Sequence, residues 1–136
     1  MRVEKHLEAL KEVQDEIDSA LKDPRGVVVH QRRLAFSLSL GACTLIELYF
    51  HKHNVIKEGA KIHHEWLKRK KETIFEQLQN QIVSPITSLS DIDKIIDLAI
   101  LIEEKRDDLA YGSVASESIL MEKINLFLKM KELVEC

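Results

Sequence analysis

Apolar residues recur at three- and four-residue steps through the first part of the chain, which is the spacing of one face of an α-helix. In residues 2–22 this face consists of Val3, Leu7, Leu10, Val13, Ile17 and Leu21. The sequence DPRG at 23–26 interrupts the pattern, because proline disfavours helix in the residue before it and glycine accepts a positive φ. The pattern therefore predicts a first helix over 2–22.

Four further helices are predicted, over 28–53, 60–82, 90–110 and 115–135. With only four Gly and two Pro in the chain, few positions interrupt helix. The segment SPITSLSD, at 84–91, is the clearest loop. Long helices with short links favour an antiparallel up-and-down bundle. At 136 residues, we expect a single all-α domain of four to five helices, spanning 1–136.

The second predicted helix is apolar almost all the way round, which is typical of the central helix of a small protein. Gly41 and Ala42 within it would let a neighbouring helix approach closely. Its longest uncharged run, LAFSLSLGACTLI at 34–46, has 13 residues and is too short to span a bilayer. The pattern therefore predicts a buried core helix and no membrane segment.

The two cysteines, Cys43 and Cys136, form no CxxC pair, which favours a reducing compartment over a disulfide scaffold. The first 18 residues, MRVEKHLEALKEVQDEID, are charged throughout and do not resemble a signal peptide. We therefore expect a cytoplasmic protein.

Charge is unevenly distributed along the chain. The net charge is −3, but residues 51–72 carry seven Lys or Arg against three Glu. The densest part of this segment is the basic run Lys68, Arg69, Lys70 and Lys71. Such a run is either a solvated helical face or a patch that binds RNA phosphate or an acidic partner surface.

The same segment contains four histidines, His51, His53, His63 and His64. Histidine is a common zinc and iron ligand, and Glu47 lies one helical turn before His51. The Glu-x-x-His pattern of di-iron bundles does not occur in this segment. The histidines are therefore weak candidates for metal ligands, and we predict no metal and no cofactor.

A charged cluster ends the fourth predicted helix. Its inward face runs through positions 92, 95, 99 and 102, and the next four-residue step reaches Arg106. A guanidinium on an inward face needs a carboxylate, a carbonyl or a phosphate. Glu103, Asp107 and Asp108 are the local candidates.

The sequence Arg106-Asp107-x-x-x-Tyr111-Gly112 at a helix end, followed by one last amphipathic helix, resembles the C-terminal half of HEPN-domain proteins. These are small all-α bundles, often dimeric, that are associated with toxin–antitoxin pairs, nucleotidyltransferase partners or RNA cleavage. Arg106 matches the arginine of their signature and Asp107 its polar position, while Tyr111 stands where the histidine is expected. The resemblance implies a homodimer, with RNA or a nucleotidyltransferase-type protein as partner.

The presence of Tyr111 in place of the expected histidine affects whether the protein can cleave RNA. Metal-independent RNA cleavage needs a group that moves a proton near neutral pH, and tyrosine, with a pKa of about 10, does this poorly. Arg106, Asp107 and Tyr111 are therefore only candidate catalytic residues. We expect a non-catalytic module in which Arg106 and the basic run 68–71 bind phosphate and Tyr111 stacks on a base or donates a hydrogen bond.

Two alternatives remain open. In the first, the protein is an endoribonuclease in which Arg106 works with His63 or His64. In the second, it is an interaction bundle in which Arg106 forms a structural ion pair and binds no ligand.

Overall fold

The computed structural model describes residues 3–135, so that residues 1 and 2 and the C-terminal Cys136 lie outside it. The described part contains six α-helices. They are α1 (Val3–Lys22), α2 (Gln31–Lys52), α3 (Lys71–Gln79), α4 (Ile92–Glu103), α5 (Arg106–Tyr111) and α6 (Glu117–Glu135). Three short 3-10 helices, Val27–His30, His64–Lys68 and Ile86–Ser88, lie between them. In residues 3–135 there is no β-strand, and extended pairing is confined to one isolated bridge between Ile56 and Ile82.

The predicted all-α bundle is confirmed. Helix α2 packs against α1, α4, α5 and α6, so the helix with the most apolar sequence is also the central one. By length and composition alone, Val27–Lys52 is apolar enough to cross a membrane, but 78% of its most apolar window is buried inside the bundle. A core helix passes the same test, so this feature is a weak indication of a membrane segment.

Gly41 is required for the packing of α2 against α6. A Cβ atom at this position would overlap the ring of Phe127 and would lie 3.2 Å from Cγ1 of Val13. The close approach predicted at Gly41 is therefore used by both neighbouring helices.

The buried face of α1 differs from the predicted one. Val3, Leu7 and Leu21 are exposed, while His6 and Ala20 are buried in line with the apolar side chains between them. Buried positions 6, 10, 13, 17 and 20 alternate four- and three-residue steps as regularly as the predicted face does. The helix is rotated so that a histidine, rather than a leucine, faces α2.

The predicted helix over 60–82 is wrong. Only the turn His64–Lys68 and α3 are helical there, and the chain before them is irregular. Asn54 and Gly59 have positive φ values of 56° and 75°. The irregular segment is held by tertiary hydrogen bonds, because Ile62 N–H donates to Glu47 Oε1 at 2.8 Å and Lys57 N–H donates to Gln81 O at 2.9 Å. Burial against α2 therefore overrides local helix propensity.

The single helix predicted over 90–110 is also wrong, since it is broken between α4 and α5. Lys105 has a left-handed backbone, with φ of 64°, and Arg106 begins α5. The ammonium group of the buried Lys123 donates a hydrogen bond to the Leu101 carbonyl in the last turn of α4. A lysine that binds a terminal carbonyl stabilises a helix end, which accounts for the break. Arg106 is thus not a continuation of the α4 face.

Candidate functional site

Arg106 is largely buried at the start of α5, with 14% of its side chain exposed. Its Nη1 donates to Asp107 Oδ1 at 2.9 Å, and its guanidinium lies 5.1 Å from the centroid of the Phe36 ring. Its Nε lies 3.9 Å from Oε2 of the buried Glu103, which is too far for a hydrogen bond. Arg106 therefore has the predicted carboxylate neighbours, and they come from both sides of the helix break.

Asp107 joins Arg106 to the basic run. Its Oδ2 accepts a hydrogen bond from Lys68 Nζ at 2.8 Å, and its side chain is 55% exposed. The hydrogen bonds from Lys68 and Arg106 hold the pKa of the Asp107 carboxyl below its ordinary value. Lys71 is also paired, because its Nζ lies 2.8 Å from both Asp93 and Asp97.

The basic run is thus divided. Lys68 and Lys71 face acidic side chains of α5 and α4, while Arg69 and Lys70 are exposed. Within residues 3–135 no salt bridge is formed by Arg69 or Lys70. In the described residues the predicted patch therefore has two cations in ion pairs, Lys68 and Lys71, and two without one, Arg69 and Lys70.

Tyr111 ends α5 with 71% of its surface exposed. Its ring meets the exposed ring of Phe36 edge-on, with 5.8 Å between centroids. Phe36 also contacts the Arg106 guanidinium, so its ring lies next to both Arg106 and Tyr111. The predicted pair Arg106 and Tyr111 is brought together by Phe36, which the sequence analysis did not single out.

Arg106 also lies between two cavities. One, of about 350 Å³, is lined by four basic residues and four acidic ones. They are Lys68, Arg69, Lys105 and Arg106 with Glu103, Glu104, Asp107 and Asp108. The other, of about 340 Å³, lies between α2 and the irregular segment, and Phe36, Glu47, His63 and His64 are in its wall with Arg106.

Glu103 supplies the buried charge of the site. Its Oε1 accepts a hydrogen bond from Ser39 Oγ at 2.6 Å and lies 3.4 Å from His64 Nδ1. Among the described residues its Oε2 has no hydrogen-bond partner, and neither does Arg106 Nε. The ion pair is therefore incompletely satisfied on both sides, next to a cavity.

The sequence analysis missed a polar stripe on α2 that is buried except at its last member. Its members occupy every fourth position except Ala35, and they are Gln31, Ser39, Cys43, Glu47 and the half-buried His51. A signal was present, since Glu47 is the sole charged residue between Arg33 and Lys52. A lone carboxylate in so apolar a helix needs a partner within the bundle.

Two members of the stripe have clear consequences. Gln31 anchors the link after α5, because its Nε2 donates to Leu109 O and Ser113 O, each at 3.0 Å, and its Oε1 accepts from Ala115 N–H at 2.8 Å. Burial raises the pKa of the Cys43 thiol to about 12, so this thiol stays protonated and is a poor nucleophile at neutral pH.

The four candidate histidines do not form one cluster. His53 packs on Tyr49 and His63 on Trp66, with ring centroids 4.4 and 5.1 Å apart respectively. His64 lies beside Glu103, while the ring of His51 packs against His6 with centroids 4.8 Å apart. In the part of the chain that the structure describes, no three His, Cys, Asp or Glu side chains are placed so as to hold a metal ion.

Comparison with known proteins gives no relative from which a function could be transferred. No family model, no curated protein and no solved structure matches this chain. The structure itself defines an all-α bundle with an arginine between two cavities.

Proposed function

We propose that this protein is a non-catalytic, HEPN-like helical module that binds the phosphate of a nucleotide or of single-stranded RNA at Arg106. The observation that carries the proposal is the bridging of Arg106 and Lys68 by the exposed carboxylate of Asp107, with N···O distances of 2.9 and 2.8 Å. A phosphate accepts hydrogen bonds from the same two kinds of donor. The carboxylate of Asp107 occupies the position that a phosphate oxygen would take.

The surroundings support this reading. Asp107 is exposed enough to swing into solvent, and Arg69 and Lys105 line the same cavity as the two bridged cations. The exposed ring of Phe36 lies beside the guanidinium and that of Tyr111 packs on Phe36, so a base attached to the phosphate can stack there. Tyrosine in place of histidine supports binding without cleavage.

Removal of the competing carboxylate provides the test. With a fluorescently labelled single-stranded RNA, we expect Asp107→Asn to tighten binding by up to about fivefold, since the phosphate no longer competes with a solvent-screened carboxylate for Arg106 and Lys68. Asp93→Asn is the matched control, because Asp93 is also exposed and paired with a lysine but does not line the cavity. Arg106→Gln should weaken binding at least tenfold at a temperature where the variant is folded.

Two results would contradict the proposal. Equal tightening by Asp107→Asn and Asp93→Asn would mean that the RNA responds to net charge alone. Unchanged affinity in folded Arg106→Gln would remove Arg106 from the binding surface.

The endoribonuclease alternative is favoured by one observation, because His63 and His64 line the same cavity as Arg106. It predicts RNA cleavage in EDTA that is lost in His64→Ala while far-UV circular dichroism shows a folded chain. His53→Ala is the control, since His53 packs on Tyr49 instead. Cleavage that survives in His64→Ala but not in His63→Ala would assign the proton transfer to His63.

The resemblance to HEPN domains also leads us to propose a homodimer, or a complex with a nucleotidyltransferase-type protein as in toxin–antitoxin pairs. The exposed apolar side chains of Phe36, Leu40 and Tyr111, close to Arg106, support an interface there. Light scattering on the purified chain tests the dimer, and a monomeric mass at high micromolar concentration would contradict it.

A further inference from the structure

A groove of about 530 Å³ lies between α4 and α6, and it shares no lining residue with the two cavities beside Arg106. Its apolar floor consists of the half-buried side chains of Leu98 from α4 and Leu133 from α6. Each helix also contributes one exposed lysine and one exposed carboxylate to the rims. These rim residues are Lys94 and Asp97 on α4, and Lys129 and Glu132 on α6.

The apolar floor continues along both helices. On α4 the exposed Leu101 follows Leu98 at a three-residue step, so it lies on the same face. On α6 half-buried apolar side chains recur every seven residues, at Ile119, Leu126 and Leu133. A seven-residue repeat over about 21 Å of helix is typical of a helix that packs against another helix. The apolar face is therefore longer than the groove and suits a protein partner.

The charges on the two rims are in opposite order. Helices α4 and α6 are antiparallel, because the ammonium of Lys123, in the first half of α6, contacts the last turn of α4. Lys94, in the first turn of α4, accordingly shares the groove with Glu132 near the end of α6. Lys94 and Glu132 thus lie at one end of the groove, and Asp97 and Lys129 at the other end.

Most of the rim charges are not used within the chain. In residues 3–135, Lys94, Lys129 and Glu132 form no ion pair. Asp97 accepts a contact from Lys71 at 2.8 Å, and Lys71 is shared with Asp93 at the same distance. The rims can therefore pair with charges that a partner supplies.

We propose that this groove binds a second copy of the chain, so that α4 and α6 of both protomers form a four-helix contact about a twofold axis. If two identical grooves are aligned face to face, the axis runs either along them or across them. With the axis along the grooves, Lys94 faces Glu132 of the other copy. Asp97 then faces Lys129.

With the axis across the grooves, Lys94 faces Asp97 of the other copy, and Lys129 faces Glu132. Every rim lysine meets a carboxylate in both arrangements, so the surface is complementary to itself. A partner helix of one charge sign would instead meet two like charges and two opposite ones. The arrangement of charges therefore favours a second copy over a uniformly charged partner.

This inference rests on the homodimer proposed above and assigns the surface through which its two copies meet. The surface formed by Phe36, Leu40 and Tyr111 is then left for RNA or for a protein of another kind.

The test is sedimentation velocity of the full-length protein over a range of micromolar concentrations, where we expect a reversible dimer. Leu101→Glu places a charge on the apolar face and should weaken dimerisation by at least about tenfold. Leu40→Glu is the matched control, because Leu40 is also an exposed leucine but lines the cavity beside Arg106. Circular dichroism confirms that both variants are folded.

Two further variants test the charge complementarity for either direction of the axis. Lys94→Glu with Lys129→Glu makes all four rim residues acidic, and Asp97→Lys with Glu132→Lys makes them all basic. Each folded variant alone should be monomeric, because like charges then face each other, and an equimolar mixture should form a heterodimer.

Three results would overturn the proposal. A monomeric wild type would leave the groove for another protein. Loss of the dimer in Leu40→Glu but not in Leu101→Glu would move the interface to the surface near Arg106. A mixture of the acidic and basic variants that stays monomeric would contradict the charge pairing. Each of these results is separate from RNA binding, which is measured with Arg106→Gln.

Discussion

Replacement of Arg106 by alanine is the most informative single perturbation of this protein. It removes three contacts of different kinds. The bond to exposed Asp107 is screened by solvent and contributes little, while the contact with Phe36 is worth about 0.5–1 kcal/mol. The third contact is with the buried Glu103, whose carboxylate then loses the nearby guanidinium.

Loss of one partner from a buried ion pair costs roughly 3–5 kcal/mol. The value here should be at the lower end or below it, because Nε and Oε2 are 3.9 Å apart, Ser39 still donates to Glu103, and two cavities admit water. We therefore expect Arg106→Ala to lower the free energy of unfolding by about 2–3 kcal/mol in total, equivalent to roughly 10 °C in thermal midpoint.

The assay is urea unfolding followed by far-UV circular dichroism, on a double-mutant cycle with Glu103→Gln. If the buried charges are coupled, Arg106→Ala should cost at least ~1 kcal/mol less when Glu103 is already neutral. A loss below ~1 kcal/mol for Arg106→Ala, or a coupling energy near zero, would refute the reasoning and leave Arg106 as a residue held for its ligand alone.

Three further predictions follow from the packing. Gly41→Ala should destabilise the protein by about 1–3 kcal/mol in urea unfolding, because the new methyl group overlaps the Phe127 ring. Gln31→Ala should cost about 1–2 kcal/mol, since the buried Leu109 carbonyl and the less buried backbone groups of Ser113 and Ala115 lose their partner. The lowered pKa of His6 means that the unfolded chain takes up a proton first, so stability should fall from pH 6.5 towards pH 4, by up to ~1.4 kcal/mol per pH unit. Glu47, whose pKa is raised, opposes this slope, so it should be steeper in Glu47→Gln.

The helical class was predictable because it depends on spacing and on the scarcity of Gly and Pro, both of which are local. The buried face of α1 was less predictable. Two faces of that helix have similarly regular spacing, and in the observed one the His6 ring packs against the ring of His51 on α2. Histidine counts as a polar residue in a hydrophobic pattern, so the sequence analysis did not choose the face that contains His6.

The region between α2 and α4 was not predictable, since its conformation follows from distant contacts. The segment before α3 is fixed by Glu47 and by residues near Gln81. Without those contacts, spacing favours the continuous helix that was predicted there. The same limitation explains the break at Lys105, which is stabilised by Lys123 from α6.

The position of Arg106 was predicted correctly for an incorrect reason. An inward arginine with acidic neighbours was expected from a continuous helix, yet the arginine reaches the interior because the helix stops. Phe36 could not be assigned to a site, since apolar residues on helix faces are usually core residues. Glu47 could have been, as the lone charged residue between Arg33 and Lys52.

The anchoring of the α5–α6 link by Gln31 has a consequence for the order of folding. Its three hydrogen bonds join residues 78, 82 and 84 positions apart, so they form only after the chain between them has closed. Helix α5 has six residues and is too short to persist without them. We therefore expect α5 to fold late and to open first in the native state, with amide protection well below that of α2. Opening of α5, which carries Arg106, then depends on the side chain of Gln31 at the start of α2.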